Sequence, residues 1–226
     1  MLGTRARTLL LAGVGGAVDA VGFLLLFGIF TAHMSGNTTR LAVDLGTGVL
    51  GPDALARITA LVAFTAGLVV GVIVAAIPEG RGSRALGAEV VVLTAVMIVG
   101  EVARDGDALG HRSALFVVLV GLLALAMGVQ NGFLRRVAGT GVHTTFISGM
   151  LTSMAEDIVA AMRDRTDPAA RRRVGLHGGI TVAYFAGGAV GAALALEWGF
   201  WALLLPIATL AMVLGGGGLR TEAAAS

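Results

Sequence analysis

The sequence predicts an all-α integral membrane protein, and three observations carry that assignment. Apolar residues make up 56% of the chain and charged residues only 13%, against about 25% charged in soluble domains. The mean hydropathy is +0.89. The apolar residues also gather into six blocks, 8–30, 54–77, 86–103, 113–134, 174–196 and 199–215, about the length a helix needs to cross a hydrocarbon core roughly 30 Å thick. These blocks are too long for barrel strands and show no alternation of period two, so helices are the spanning element. No Pro-, Ser- or charge-rich linker divides them, and residues 1–226 read as a single membrane domain.

Taken in order, the first block follows Arg5 and Arg7 and lacks a clear small-x-small cleavage site, so it is expected to be a retained span rather than a signal peptide. Asp19 sits near its middle, where a carboxylate costs about 2.5–3.5 kcal/mol on insertion scales. The stretch TAHMSGNTTRLAVDL, residues 31–45, comes next. Wound as a helix, it brings His33, Asn37, Arg40 and Asp44 onto one stripe. The block 54–77 carries Gly67 and Gly71, a GxxxG spacing that lets helix backbones approach closely. After the block 86–103, the next one ends in Gln130 and Asn131, followed by Arg135 and Arg136. A second polar segment, about 143–157, sets Thr145, Ser148, Thr152 and Glu156 along one face. The last two blocks supply a second GxxxG pair, Gly187 and Gly191, and a final span.

The chain repeats itself. SGNTTRLAVDL (35–45) aligns with SGMLTSMAEDI (148–158), matching Ser35 with Ser148, Gly36 with Gly149, Thr39 with Thr152, Ala42 with Ala155 and Asp44 with Asp157. AFTAGLVVGVIVA (63–75) aligns with AYFAGGAVGAALA (183–195), which sets Gly67 and Gly71 opposite Gly187 and Gly191. TAVMIVG (94–100) resembles TLAMVLG (209–215), and Asp19 falls opposite Asn131. The matches keep their order, as expected of two tandem repeats over about 8–103 and 113–215, each of four helical segments. If the polar segments span, the repeats are parallel; if they re-enter, three spans remain per half and the repeats are inverted. The positive-inside rule fits both arrangements, and in both it puts the basic residues 163–173 and the two termini in the cytoplasm.

Composition and spacing also narrow the function. A net charge of +2 gives no support for nucleic-acid binding. Ser35 and Ser148 have neither a local base nor an elbow motif, and His33, His143 and His177 stand at no metal-ligand spacing, so an enzyme, a metal site and a cofactor are not expected. The expected path for an ion or small solute runs between the repeats, lined by Asp19, His33, Ser35, Asn37, Gln130, Asn131, Thr145, Ser148 and Thr152, with Asp19 as the proton- or cation-coupling group. Arg40, Asp44, Arg135, Arg136 and Asp157 are candidate charge partners, and the two GxxxG pairs are packing sites. The alternative is a non-transporting scaffold or partner subunit whose polar residues hold helices together. The partners expected are the lipid bilayer, a small solute or ion, and further copies of the chain.

VDAVGFLLLFGIFTAHMSGNTTRLAVDLG together with AMGVQNGFLRRVAGTGVHTTFISGMLTSMAEDI resembles the YoaK family of uncharacterised multi-pass bacterial membrane proteins. The resemblance rests on the intramembrane Asp19, on Ser35-Gly36-Asn37 where the family has TGN, on Gly128, Gln130 and Asn131, and on Thr144, Thr145, Ser148 and Gly149, again with Ser for Thr. It implies an inner-membrane, multi-pass protein, and it carries no substrate or activity with it.

Overall fold

The computed structural model describes residues 3–51, 53–77, 81–106, 108–110, 113–137, 147–164 and 167–216. Among them lie eight α-helices and no strand: α1 Thr4–Leu25, α2 Met34–Gly46, α3 Ala54–Ala76, α4 Arg81–Asp105, α5 Ala114–Val137, α6 Ile147–Arg163, α7 Pro168–Trp198 and α8 Leu204–Gly215. A 3-10 turn, Gly199–Leu203, joins the last two. Five stretches are long and apolar enough to cross a membrane: Thr4–Leu25, Ala54–Ala76, Ser83–Asp105, Ala114–Leu134 and the continuous run Pro168–Gly215. The two polar segments are helical, as the stripe pattern predicts, but α2 has 13 residues and α6 has 17. At 1.5 Å per residue the described stretches measure about 20 and 25 Å, against the roughly 30 Å of a hydrocarbon core, and residues 138–146 before α6 lie outside the described ones.

Two close helix pairs frame the bundle, α1 against α7 and α3 against α5. Both pairs run parallel and are built on missing side chains. A Cβ at Gly67 would collide with the Leu125 carbonyl and one at Gly71 with the Val129 carbonyl; in return, a Cβ at Gly128 would strike the Phe64 carbonyl. In the other pair, Gly187 meets the backbone of Gly13, Gly191 meets Ala17, and Gly16 meets the Tyr184 carbonyl. With no hydrophobic force between helices in lipid, this close backbone contact and its dispersion energy hold the pairs. The two GxxxG pairs lie at these contacts, and the surfaces they meet belong to α1 and α5.

The core lies where α1, α4, α5 and α8 meet, with Leu11, Leu93, Phe116, Met127, Leu210 and Val213 fully or almost fully buried. The chain reverses after α7 at Gly199, whose φ is +59°. Glu101 fastens that corner: its Oε2 accepts from the Phe200 N–H at 2.6 Å and its Oε1 from Arg104 Nη1 at 2.9 Å. Because α8 returns alongside α1, Arg7 Nη2 reaches the Gly216 carbonyl at 2.6 Å. The N-termini of α1 and α7 thus share one end of the bundle, where Arg5 donates to the Gly175 carbonyl at 3.0 Å. The α7–α8 corner and the starts of α3 and α5 are at the other end.

Gly128→Ala tests the close pairing directly. Its new Cβ has only backbone to displace, so the variant is expected to lose about 1–3 kcal/mol, read as a lower unfolding midpoint in detergent. Gly87→Ala on α4 meets nothing within 4 Å and is expected to match or exceed the parent, gaining up to about 1 kcal/mol of helix propensity.

Candidate functional site

The site is built around a break in the backbone. Leu26 to His33 leave the helical path after α1: Phe27 and Gly28 take φ of +52° and +76°, both in the left-handed region. The chain then folds back beside α1 until Thr31 stands level with Asp19 and Gly22. A Cβ at Gly22 would overlap the Thr31 methyl, so glycine is what admits the returning strand of chain. Asp19 lies six residues before the end of α1, which puts the returning link about 9 Å inside the bundle. From there α2 runs back out to the end where α3 begins.

Backbone N–H and C=O groups at that depth find no water and must be paired within the protein. Asp19 and Asn37 pair them. Asp19 Oδ1 accepts from the Thr31 N–H at 2.7 Å, the Ala32 N–H at 2.8 Å and Thr31 Oγ1 at 3.2 Å. Its Oδ2 accepts from the Tyr184 hydroxyl on α7 at 2.6 Å. Asn37 forms a two-bond clasp on Phe30, accepting from its N–H at 3.1 Å and donating to its carbonyl at 2.7 Å. Both side chains are buried, Asn37 with 1% of its surface exposed. The carboxylate of Asp19 is surrounded by donors, which compensates its burial, and the geometry gives it the role of an anchor.

Beside the link lies a cavity of about 640 Å³ lined by Phe30, His33, Ser35, Thr39, Arg40 and Arg57, among others. His33 Nε2 is 3.2 Å from Ser35 Oγ. Arg57, at the start of α3, is 5% exposed; its Nη atoms stand 3.5 Å from Asp44 Oδ2 and 3.6 Å from Asp53 Oδ2, and Arg40 stands 3.8 Å from Asp44.

The expected residues thus separate into groups. Asp19, His33, Ser35 and Asn37 do converge, at the link and its cavity. Gln130 is elsewhere, donating from α5 to the Leu11 carbonyl of α1 at 2.9 Å, and Asn131 donates to Met127 of its own helix at 2.8 Å. Neither is among the partners of Asp19. Ser148 and Thr152 are exposed on α6, which packs on α7 and runs toward the opposite end from α2, with Asp157 bonded to Arg173 Nε at 2.7 Å and 2.9 Å from His177 Nδ1. The two polar segments are therefore apart, each on its own neighbour. Thr145 and the side chains of Arg135 and Arg136 lie outside the described residues.

Three side chains, two of them at the site, were not singled out in the sequence. Tyr184 is the only tyrosine of the chain, and its alignment with Phe64 hid its hydroxyl. Arg57 read as a loop charge. Glu89, buried on α4 with Oε1 lacking a partner among the described residues, sat unmarked at the edge of an apolar block.

Replacing the anchors should separate structure from charge. Asn37→Leu leaves the Phe30 N–H and carbonyl unpaired and is expected to cost about 2–5 kcal/mol. Asp19→Leu should cost as much or more, whereas Asp19→Asn keeps an acceptor for Thr31 and Ala32 and should lose only about 1–3 kcal/mol. Chemical or thermal unfolding in detergent ranks the three; equal losses for the two Asp19 variants would count against the anchor.

A model of a family described as proteins of unknown function, DUF1275, matches residues 8–216. The UPF0700 transmembrane protein YoaK of Bacillus subtilis (strain 168) is 28% identical over 152 residues, which cover 66% of this chain and 64% of that protein. The match therefore spans somewhat less than two thirds of the relative's own length. No solved structure matches. Five apolar helical stretches, a transmembrane relative and a family match over nearly the whole chain agree, and the chain belongs to the DUF1275 family as a multi-pass membrane protein.

Proposed function

We propose that the protein is a small transporter or permease of the inner membrane, built from two inverted repeats, about 8–103 and 113–215. Each repeat contributes three spans and one re-entrant half-helix, α2 or α6. The observation that carries this reading is the broken, internally paired backbone at 26–33 beside a cavity of about 640 Å³. Irregular backbone at membrane depth is tolerated where it lines a cavity, and discontinuous helices are where transporter folds hold their solutes.

The packing supports the repeats. Under the alignments that set Asp19 opposite Asn131 and Gly67 opposite Gly187, the close approach of Gly67 to Leu125 becomes that of Gly187 to Gly13. Likewise Gly71 on Val129 becomes Gly191 on Ala17, and Phe64 on Gly128 becomes Tyr184 on Gly16. The first helix of each repeat thus clasps the third helix of the other. α2 and α6 run from the interior toward opposite ends, as an inverted pair requires. With the basic residues 163–173 cytoplasmic, both termini are cytoplasmic, and the α2 cavity opens to the far side. No proton step is routed through Asp19, whose lone pairs are engaged.

The scaffold reading draws its support from the same anchors, since Asp19 and Asn37 spend their polar atoms on structure. Flux separates the two. Proteoliposomes given a bacterial metabolite extract are expected to accumulate at least one solute above protein-free vesicles, and Asn37→Leu should abolish that accumulation. A folded, reconstituted protein that moves nothing would leave the scaffold. Topology has its own measurement, because the chain contains no cysteine. Single cysteines at Ser35 and Thr39 should react with a membrane-impermeant maleimide from the far side, and those at Ser148 and Thr152 from the cytoplasmic side. Labelling of all four from one side would overturn the inverted arrangement.

A further inference from the structure

Two hollows meet at one point of the surface, and their chemistry differs. The first is the polar cavity beside α2. The second is an apolar groove of about 500 Å³ between α1 and α7, floored by Gly16, Ala20, Gly188 and Ala189 and walled by Phe185. Phe23 and Phe30, stacked with ring centroids 4.7 Å apart, line both. We propose that together they form one binding site for an anionic amphiphile, with a carboxylate or phosphate head in the polar cavity and an alkyl or prenyl chain in the groove. The inference names the cargo class of the proposed transporter and rests on that reading.

The head is argued from Arg57. Its side chain is 6% exposed, and its Nε is buried without a hydrogen-bond partner among the described residues. The carboxylate oxygens at 3.5 and 3.6 Å stand beyond the roughly 2.7–2.9 Å of a charge-assisted hydrogen bond. A guanidinium offers five N–H donors in a planar fork suited to a carboxylate or phosphate; the two long ion pairs leave the buried Nε–H without a hydrogen bond among the described residues, which is costly. Arg40 and His33 line the same cavity, as do Ser35 and Gly36 in the first turn of α2, where the positive end of the helix dipole favours an anion. Asp44 and Asp53 balance the two arginines, which keeps the empty site neutral overall without engaging the fork.

The tail is argued from the groove. Small residues on both helices leave a trough whose only polar groups, Asp19, Thr181 and Tyr184, include an acid and a phenol already bonded to each other. Nothing there asks for a polar solute. Phe185, 75% exposed, opens that side to the acyl phase, so the chain can enter laterally while the head reaches Arg57. An inorganic anion would leave the groove unfilled and a neutral hydrocarbon would leave the Arg57 Nε–H without a hydrogen bond.

The purified full-length protein in a non-ionic detergent, stripped of lipid, provides the test. Dodecyl phosphate and dodecanoate should each raise the unfolding midpoint by about 5 °C or more near saturation. Dodecyltrimethylammonium, dodecanol and inorganic phosphate should not. Arg57→Gln should remove the shift, as should Ala189→Phe, which fills the groove without touching the head site and guards against misfolding of the first variant. Native mass spectrometry of protein purified without stripping separates two sources. A retained phospholipid, lost in Arg57→Gln, assigns the head to a membrane lipid; binding of single-chain amphiphiles alone assigns it to a free one. Equal shifts from the cationic and anionic probes, or full shifts in both variants, would overturn the proposal. A shift without any flux in proteoliposomes would leave this site standing and sink the transport reading, whereas flux of a solute unaffected by Arg57→Gln would do the reverse.

Discussion

Everything in this fold depends on the rule that a peptide group taken into a bilayer must bring its partner along. The long helices obey it with their own backbone bonds, but the first apolar block, 8–30, leaves the helix after Leu25. The connection 26–33 returns into the bundle; short backbone bonds serve Leu26, Gly28 and Ile29, and two side chains stand in for the missing helix at Phe30, Thr31 and Ala32. Asp19 takes the N–H groups of Thr31 and Ala32, and Asn37 takes both polar groups of Phe30. An amide can donate and accept at once, which is why asparagine suits the clasp; a carboxylate only accepts, which is why aspartate suits a place where several donors converge. The charge of Asp19, costly in the middle of a span, is compensated by four donors rather than by a cation.

The anchors work only if the helices are already close enough to present them. Tyr184 reaches Asp19 because Gly16 allows α1 and α7 to touch backbone to backbone, its missing Cβ being the space the Tyr184 carbonyl occupies. Gly22 likewise yields to Thr31. Small residues therefore set the distances and polar residues exploit them, and a larger side chain at either glycine would undo a hydrogen bond several ångströms away.

These dependencies explain what was legible in the sequence. Helical class, apolar blocks, close-packing glycines and the helicity of the polar segments could be read, because each rests on local period or spacing. Asp19 and Asn37 were expected to line a solute path, Asp19 as its coupling group; both are buried and bonded to the returning backbone. Their partners were not legible: a hydrogen bond to the backbone of Phe30 or Thr31 leaves no trace in residue type at the accepting or donating position. The expectation that the two polar stripes face one another failed for a related reason. A helical stripe specifies that one face is polar, not what that face meets: α2 packs on α3 and α6 on α7, and the Ser35, Thr39, Ser148 and Thr152 side chains are exposed.

If the chain is two repeats, as proposed, the halves differ in a way that follows from pairing chemistry. Under the internal alignment Asp19 stands opposite Asn131 and Tyr184 opposite Phe64. In the first case an acid meets a phenol at 2.6 Å; in the second the phenol is replaced by an aromatic ring without a hydroxyl, and Asn131 turns to Met127 of its own helix. Acid and hydroxyl are present together or absent together. A buried phenol without an acceptor, or a carboxylate short of a donor, would cost more than either matched set, so a change at one position constrains the other across 165 residues of chain. The acid stands beside the charged cavity and its two arginines, so on the proposed reading recognition would fall to α1, α2 and the face of α7 that Tyr184 shares with them.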